Sequence, residues 1–303
     1  MPLLLLLILA PTVGLVTGFL VWRLPRSVAA SRPTVEGAQK VGETIGRYGA
    51  LRRALKARLN PAAATGLALT LALLVAIGGG VLFALLAYLV RSNAHLHGVD
   101  NGVAKWGSAH ASAFSSGGLN VVTQLGGIYV VIALSIVLAV GLTIISRSVW
   151  VIPFVIAVMG GEEILTLTVK DLADRVRPAF NPAAASLGPS FPSGHSATAA
   201  AFYACAALLI GRQRGRPARA ALTGLAVGLA VAVAASRVLL DVHWLTDVIA
   251  GLALGWAWFS VCAVAFGGRL LRFGAGAETA ERAADAKAQG KPRPRALNRV
   301  RLS

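Results

Sequence analysis

Charge is scarce in this 303-residue sequence. Only 14% of its residues are Asp, Glu, Lys or Arg, where a soluble domain carries about a quarter. Cysteine is scarcer still. Cys205 and Cys262 both fall inside apolar stretches, so a disulfide framework is not expected and cysteine usage says nothing of redox compartment. No internal repeat is visible. The N-terminus lacks a basic segment ahead of its first apolar run, and no convincing small-residue cleavage site follows it. A retained span is therefore expected there rather than a signal peptide. The period-2 and period-3.6 alternation of half-buried elements is also wanting.

What the sequence does have is long uncharged runs. Hydrophobic residues make up 56% of the chain, and mean hydropathy is +0.70. Seven runs stand out: Leu3–Trp22, Ala62–Val90, Asn120–Ser146, Val149–Val169, Ser196–Gly211, Ala220–Ala235 and Leu245–Gly267. About 20 residues cross the hydrocarbon core. The fifth run is short for that and is expected either to tilt little or to begin in the preceding loop. The fold class expected is all-α, a polytopic membrane helical bundle.

The net charge of +17 could suggest a nucleic-acid partner, but its distribution points elsewhere. If the seven spans alternate, twenty-three of the 29 Lys and Arg fall on one side, in 23–61, at Arg147, in 212–219 and in 268–303. The other side holds Arg91, Lys105, Lys170, Arg175, Arg177 and Arg237. Positive charge stays inside, which puts the N-terminus outside and the C-terminus in the cytoplasm. Anionic inner-leaflet lipid accounts for the excess charge, and no nucleic-acid partner is expected.

Around the spans, residues 23–61 form a basic linker. Its stretch Val41–Leu59 interleaves Arg52, Arg53, Lys56 and Arg58 with Leu51, Leu55 and Leu59, as either an amphipathic helix on the inner leaflet or an ordinary solvated helix would. Residues 91–119 are expected to form an outer loop. Residues 269–303 form a basic tail that is expected to be disordered, since from 274 onward it carries almost no large apolar residue. The spacings Gly224/Gly228 and Gly251/Gly255 suggest close helix packing.

Three clusters at span boundaries carry the chemistry, and all three fall on the outer side of this topology. Lys170, Arg177 and Pro178 end the fourth span. If the helix continues, the two cations lie two turns apart on one face and could clamp a dianionic phosphate, Arg with two donors at once. Interfacial snorkelling is the plain structural reading. Phe191-Pro192-Ser193-Gly194-His195 opens the fifth span, where exposed backbone N–H groups and the helix dipole make an anion site. There Ser193 could donate a hydroxyl and His195 a proton; a capped helix start with an incidental histidine is the alternative. Ser236-Arg237 precedes His243 and Asp247, which share a face if helical. A carboxylate on one ring nitrogen fixes the tautomer and frees the other nitrogen to attack; a loop salt bridge is the alternative. Together, on one side of the membrane, the three favour a phosphate site.

Lys170-x6-Arg177-Pro178, then Pro192-Ser193-Gly194-His195, then Ser236-Arg237-x5-His243-x3-Asp247 resembles the type 2 phosphatidic acid phosphatase superfamily, which also includes glucose-6-phosphatase and the vanadium haloperoxidases. All three motifs are complete, in that family's order and spacing. The resemblance implies a six-span phosphatase core over residues 62–268, leaving residues 1–22 as an extra N-terminal span. It implies His243 as nucleophile forming a phosphohistidine, Asp247 as its orienting partner and His195 as general acid. Lys170, Arg177, Ser193, Gly194 and Arg237 would be the phosphate-binding groups. It implies no metal or other cofactor, since fixed cations and N–H dipoles would stabilise the transition state.

The function expected is an integral cytoplasmic-membrane phosphatase acting on a lipid phosphate at the extracytoplasmic face. Substrates of the undecaprenyl diphosphate, phosphatidylglycerophosphate or phosphatidate class would suit. The alternatives are a phosphotransferase using the same site and a non-catalytic lipid-binding or transport protein, though the latter has no need of both His195 and His243. Oligomeric state is left open. Glu162 and Glu163 lie inside the fourth span, where a carboxylate is a functional candidate. Glu163, two turns below Lys170, either contacts the substrate's polar part or, the favoured reading, pairs structurally. His95, His97 and His110 are expected to be exposed loop histidines, short of a metal site for want of a further ligand.

Overall fold

The computed structural model describes residues 2–23, 64–92, 96–110, 112–146, 148–212 and 214–270. The basic linker, the C-terminal tail and His95 lie outside the described residues. What is described is all-α: α1 (Pro2–Arg23), α2 (Ala64–Arg91), α3 (Leu96–Ala109), α4 (Ala113–Gln124), α5 (Ile128–Ser146), α6 (Val151–Ala173), a 3-10 turn (Pro182–Leu187), α7 (Gly194–Gly211), α8 (Arg216–Leu239) and α9 (Leu245–Leu270). Seven of these helices are long and apolar enough to cross a membrane.

The third apolar run does not form one helix. It divides at Gly126-Gly127 into α4 and α5. A Cβ on Gly126 would lie 2.8 Å from the His195 carbonyl oxygen and 2.5 Å from Val233, so only glycine lets this bend approach α7 and α8. Residues 91–119, expected to be a loop, are largely helical. Asp100, Ala104 and Gly107 are buried along one face of α3, at i, i+4 and i+7. A capping box between Ser112 and Ser115 starts α4.

The short fifth run is the central helix. At 18 residues α7 rises about 27 Å, and with α8 it is the most enclosed of the spans. In this helix Ala197, Ala199, Ala200 and Ala201 are wholly buried. Gly251 and Gly255 of α9 lie against it, and a Cβ at Gly255 would come within 2.3 Å of the Ala197 carbonyl oxygen. Gly224 and Gly228 of α8 face α1, with 2.5 Å from a Cβ at Gly224 to the Gly14 carbonyl oxygen and 3.1 Å from one at Gly228 to the Ala10 carbonyl oxygen. Both glycine pairs therefore allow helix backbones to touch. Below the α7 start, Val155, Phe154, Cys205, Leu209 and Cys262 join α6, α7 and α9 in one core. On the other flank, Leu6, Ala10, Leu119 and Leu239 tie α1 to α4 and α8.

Candidate active site

Four helix ends meet at one end of the bundle: the C-termini of α6 and α8 and the N-termini of α7 and α9. The three sequence clusters sit on these ends, and the fold brings them together.

The first cluster differs from expectation in its backbone. α6 does not continue to Arg177. It stops at Ala173 because Asp174 takes a left-handed conformation (φ 42°) and returns its N–H to the Lys170 carbonyl, a common helix ending. Lys170 is thus on the last turn of α6, while Arg177 projects from the following loop. That loop turns back over the site and anchors the guanidinium. Arg177 Nε donates to Gly188 O at 2.8 Å and Nη1 to Val242 O at 2.6 Å. Its Nη1 also lies 3.2 Å from His243 Nε2. Lys170 Nζ donates to Pro189 O at 3.2 Å.

The second cluster is a helix start, as expected, with Ser193 as N-cap of α7. Ser193 is fully buried. Its N–H donates to the Asp247 carbonyl at 3.0 Å, and its hydroxyl accepts from Ser196 at 3.0 Å. A Cβ on Gly194 would meet Lys170 Cε at 3.9 Å, so the lysine stem borders the α7 N-terminus. His195 is half-buried in the same first turn.

In the third cluster His243 lies just before α9 rather than on it. Its Nδ1 nonetheless faces Asp247 Oδ2 at 3.4 Å, within ion-pair reach but short of a well-directed hydrogen bond. Asp247 Oδ2 also accepts from the Trp244 backbone N–H at 3.0 Å. A guanidinium can only donate, so the Arg177 contact makes Nε2 the lone-pair nitrogen and puts the ring proton on Nδ1, toward Asp247. Burial pushes the His243 pKa down to about 4, opposed by Asp247 and reinforced by Arg177 and Arg237. The imidazole is neutral at neutral pH. Arg237, buried at the end of α8, donates through Nη1 to Thr123 Oγ1 at 3.0 Å. Its Nε has no partner among the described residues. An unsatisfied buried donor is costly, and an anion between Arg237, Arg177 and Lys170 would satisfy it.

Of the intramembrane carboxylates, Glu162 rather than Glu163 is the paired one. Glu162 is fully buried and accepts from Thr166 at 2.7 Å and Thr198 at 3.1 Å. Glu163 is half-buried and joins neither bond. His110 sits outside this site, stacked on Trp106.

Sequence reading missed a second tier. Arg175 donates to Asp247 Oδ1 at 2.5 Å, to Thr246 Oγ1 at 2.7 Å and to Asp100 Oδ2 at 2.7 Å, and lies over the Trp244 ring. Asp100 is the lone acid in 91–119; its place on the apolar face of α3 was the available signal.

Residues 150–270 match the sequence profile of the PAP2 superfamily. They form a PAP2 superfamily domain. It covers α6 to α9 and holds every cluster described above. Phosphatidylglycerophosphatase B of Bacillus subtilis is 29% identical over 178 residues, 57% of this chain and 85% of that protein. Lipid A 1-phosphatase of Rhizobium johnstonii is 47% identical over 72 residues, but these span 24% of this chain and 25% of that protein. The crystal structure of a transmembrane PAP2 type phosphatidylglycerolphosphate phosphatase from Bacillus subtilis superposes with a TM-score of 0.60 at 26% identity. That match covers 66% of this chain and 99% of the other. The chain is an integral membrane protein whose relatives are phosphatases.

Proposed function

We propose that this protein hydrolyses the phosphate of a membrane lipid by way of a phosphohistidine, at the extracytoplasmic face and without a metal. The observation that carries the reading is a neutral, buried His243 whose Nε2 faces Arg177, with Asp247 on the opposite nitrogen. The phosphate would sit between Arg177, Arg237, Lys170, the Ser193 hydroxyl and the Gly194 N–H, displacing Arg177 from Nε2. Nε2 then attacks phosphorus, forming an N–P bond as the bond to the leaving oxygen breaks. His195 gives that oxygen a proton. Water next attacks the phosphohistidine, losing its proton to His195 and releasing inorganic phosphate and the free imidazole. Fixed cations and helix-end N–H groups stabilise the equatorial oxygens throughout, so the chemistry asks nothing of a metal. The core would run over residues 62–268, with the N-terminal span, linker and tail added to it.

A phosphatidylglycerophosphate-class substrate is favoured by the relative matched over most of its length. A glycolipid 1-phosphate is the second reading, favoured by the 72-residue match. Phosphatidate presents the same terminal phosphomonoester, and undecaprenyl diphosphate a terminal phosphate held in an anhydride. The test is phosphate release from these four in detergent with EDTA, beside His243→Ala. The mutant is expected to lose at least about 10³-fold of the native rate, since no other side chain takes the nucleophile's place. EDTA-sensitive release, or an active mutant, would overturn the mechanism.

A further inference from the structure

Arg175 binds Asp247, yet it lies outside the cage of cations around His243 Nε2. Its guanidinium is about 9% exposed and lies between two carboxylates, 2.5 Å from Asp247 Oδ1 and 2.7 Å from Asp100 Oδ2. Asp100 is fixed in turn. Its Oδ1 accepts the Thr246 backbone N–H at 3.0 Å and its Oδ2 the Thr246 hydroxyl at 2.7 Å. That N–H belongs to the first turn of α9, where backbone donors lack intrahelical acceptors. Asp100 therefore caps α9 from another helix. Arg175 closes the ring through Thr246 Oγ1 at 2.7 Å.

Asp247 uses its two oxygens differently. Oδ2 faces His243 and accepts from Trp244 N, while Oδ1 is held by Arg175. The carboxylate plane is thus set by Arg175. Arg175 is set by Asp100, and by the face of Trp244 at 5.5 Å. Asp100 rides on α3, which packs across the outer ends of α8 and α9.

We propose that Arg175 and Asp100 are positioning residues that hold Asp247 in line with His243, and that through them α3 is part of the catalytic unit. This rests on His243 being the nucleophile. Neither residue touches substrate. Arg175 acts on the reaction through Asp247, and Asp100 through Arg175 and the first turn of α9.

Such a role has a signature different from that of a phosphate ligand. A ligand lost raises KM and weakens inhibition by inorganic phosphate. A positioning group lost lowers kcat and leaves both nearly unchanged. It also alters the charge felt by His243. The charged or titratable groups around His243 are Asp247 on α9, Arg237 on α8, His195 on α7, Lys170 on α6, and Arg175 and Arg177 on the loop after α6. Removing the Arg175 charge leaves Asp247 less compensated, so the His243 imidazolium becomes easier to form. Attack needs neutral imidazole, so the acid limb of kcat/KM moves to higher pH.

The experiment compares native protein, Arg175→Gln, Arg175→Lys and Asp100→Asn in detergent, with His243→Ala as the inactive reference. Each is first checked for monodispersity and Tm. Phosphate release is measured across pH, and inorganic phosphate is used as competitor. Arg175→Gln is expected to lower kcat ten- to about a hundredfold, with KM and the phosphate Ki within about threefold. Its acid limb should rise by about half a pH unit to one unit. Arg175→Lys keeps the charge and should keep the native limb, recovering part of kcat. Asp100→Asn should lower kcat without raising the limb. A fall in kcat confined to unstable variants would overturn the proposal. So would a raised KM and phosphate Ki, which would make Arg175 a phosphate ligand, or a folded Arg175→Gln with native kcat and limb. Where Arg175→Gln does not fold, Arg175→Lys and Asp100→Asn decide by the same criteria. Native protein that releases no phosphate would overturn the phosphatase reading itself, and this proposal with it.

Discussion

At the residue scale, the proposed function turns on two groups kept in states they would not hold in water. His243 has one nitrogen toward Asp247 and the other against Arg177. A neighbouring carboxylate alone would raise an imidazole pKa, favouring imidazolium. Here burial is the larger effect, aided by Arg177 and Arg237, and the balance falls at about 4. Arg237 is the other group, with its buried Nε unpartnered among the described residues. The expected result is an acid limb in kcat/KM lying nearer pH 4 than the 6.5 of ordinary histidine. The sign is that of a group needed unprotonated, so activity falls as pH drops through the limb. Phosphate monoesters themselves titrate near 6, so two substrates with different phosphate pKa values should be compared. The limb common to both belongs to the enzyme. A common limb at 6.5 or above would mean that Asp247, not burial, dominates His243.

At the scale of elements, the helix ends matter more than the helices. Lys170, Ser193, Gly194, His195, Arg237, His243 and Asp247 were visible in sequence because their spacing is local and the apolar runs set their depth. The path between them was less visible. A seven-residue interval after Lys170 predicts one helical face, but the left-handed Asp174 ends α6 and sends Arg177 over the site on a loop. His243 and Asp247 face each other although only Asp247 is helical. Asp100 was hidden because its partners lie 75 and 146 residues away, and no local pattern reports such a contact. The division of α4 from α5 hinged on Gly126, whose need for close approach appears only once α7 and α8 are placed. By contrast Gly251 and Gly255 read correctly as packing glycines, and they lead to a prediction. Gly255→Leu would drive a side chain into the Ala197 carbonyl, 2.3 Å from the new Cβ. Overpacking costs about 1–3 kcal/mol, and a clash with backbone belongs at the upper end. Thermal unfolding in detergent should show a lowered Tm. Phosphatase activity should fall with it, because α7 and α9 carry His195 and Asp247 and would be pushed apart. A variant of native Tm and activity would mean that α7 and α9 are not in close contact.

At the scale of the whole molecule, the open question is which side of the membrane the site faces. If the positive-inside bias holds, the basic linker, the α7–α8 turn and the basic tail would lie in the cytoplasm. The cluster of helix ends would then face outward, where a flipped lipid phosphate or an outer-leaflet headgroup would meet it. Two substituted cysteines test this without disturbing the site. Asn101→Cys lies exposed on α3, at the end bearing His243, and Arg214→Cys lies exposed between α7 and α8, at the opposite end. The native thiols Cys205 and Cys262 are both buried, so background labelling should be low. In spheroplasts, a membrane-impermeant maleimide is expected to label Asn101→Cys at once and Arg214→Cys only after lysis. The reverse pattern would place the site in the cytoplasm, facing newly made lipid phosphates before they cross. It would also require the 23 Lys and Arg assigned inside to lie outside, against a strong charge bias. Labelling of both before lysis would mean that the two ends are not separated by a bilayer, and the seven-span arrangement itself would fail.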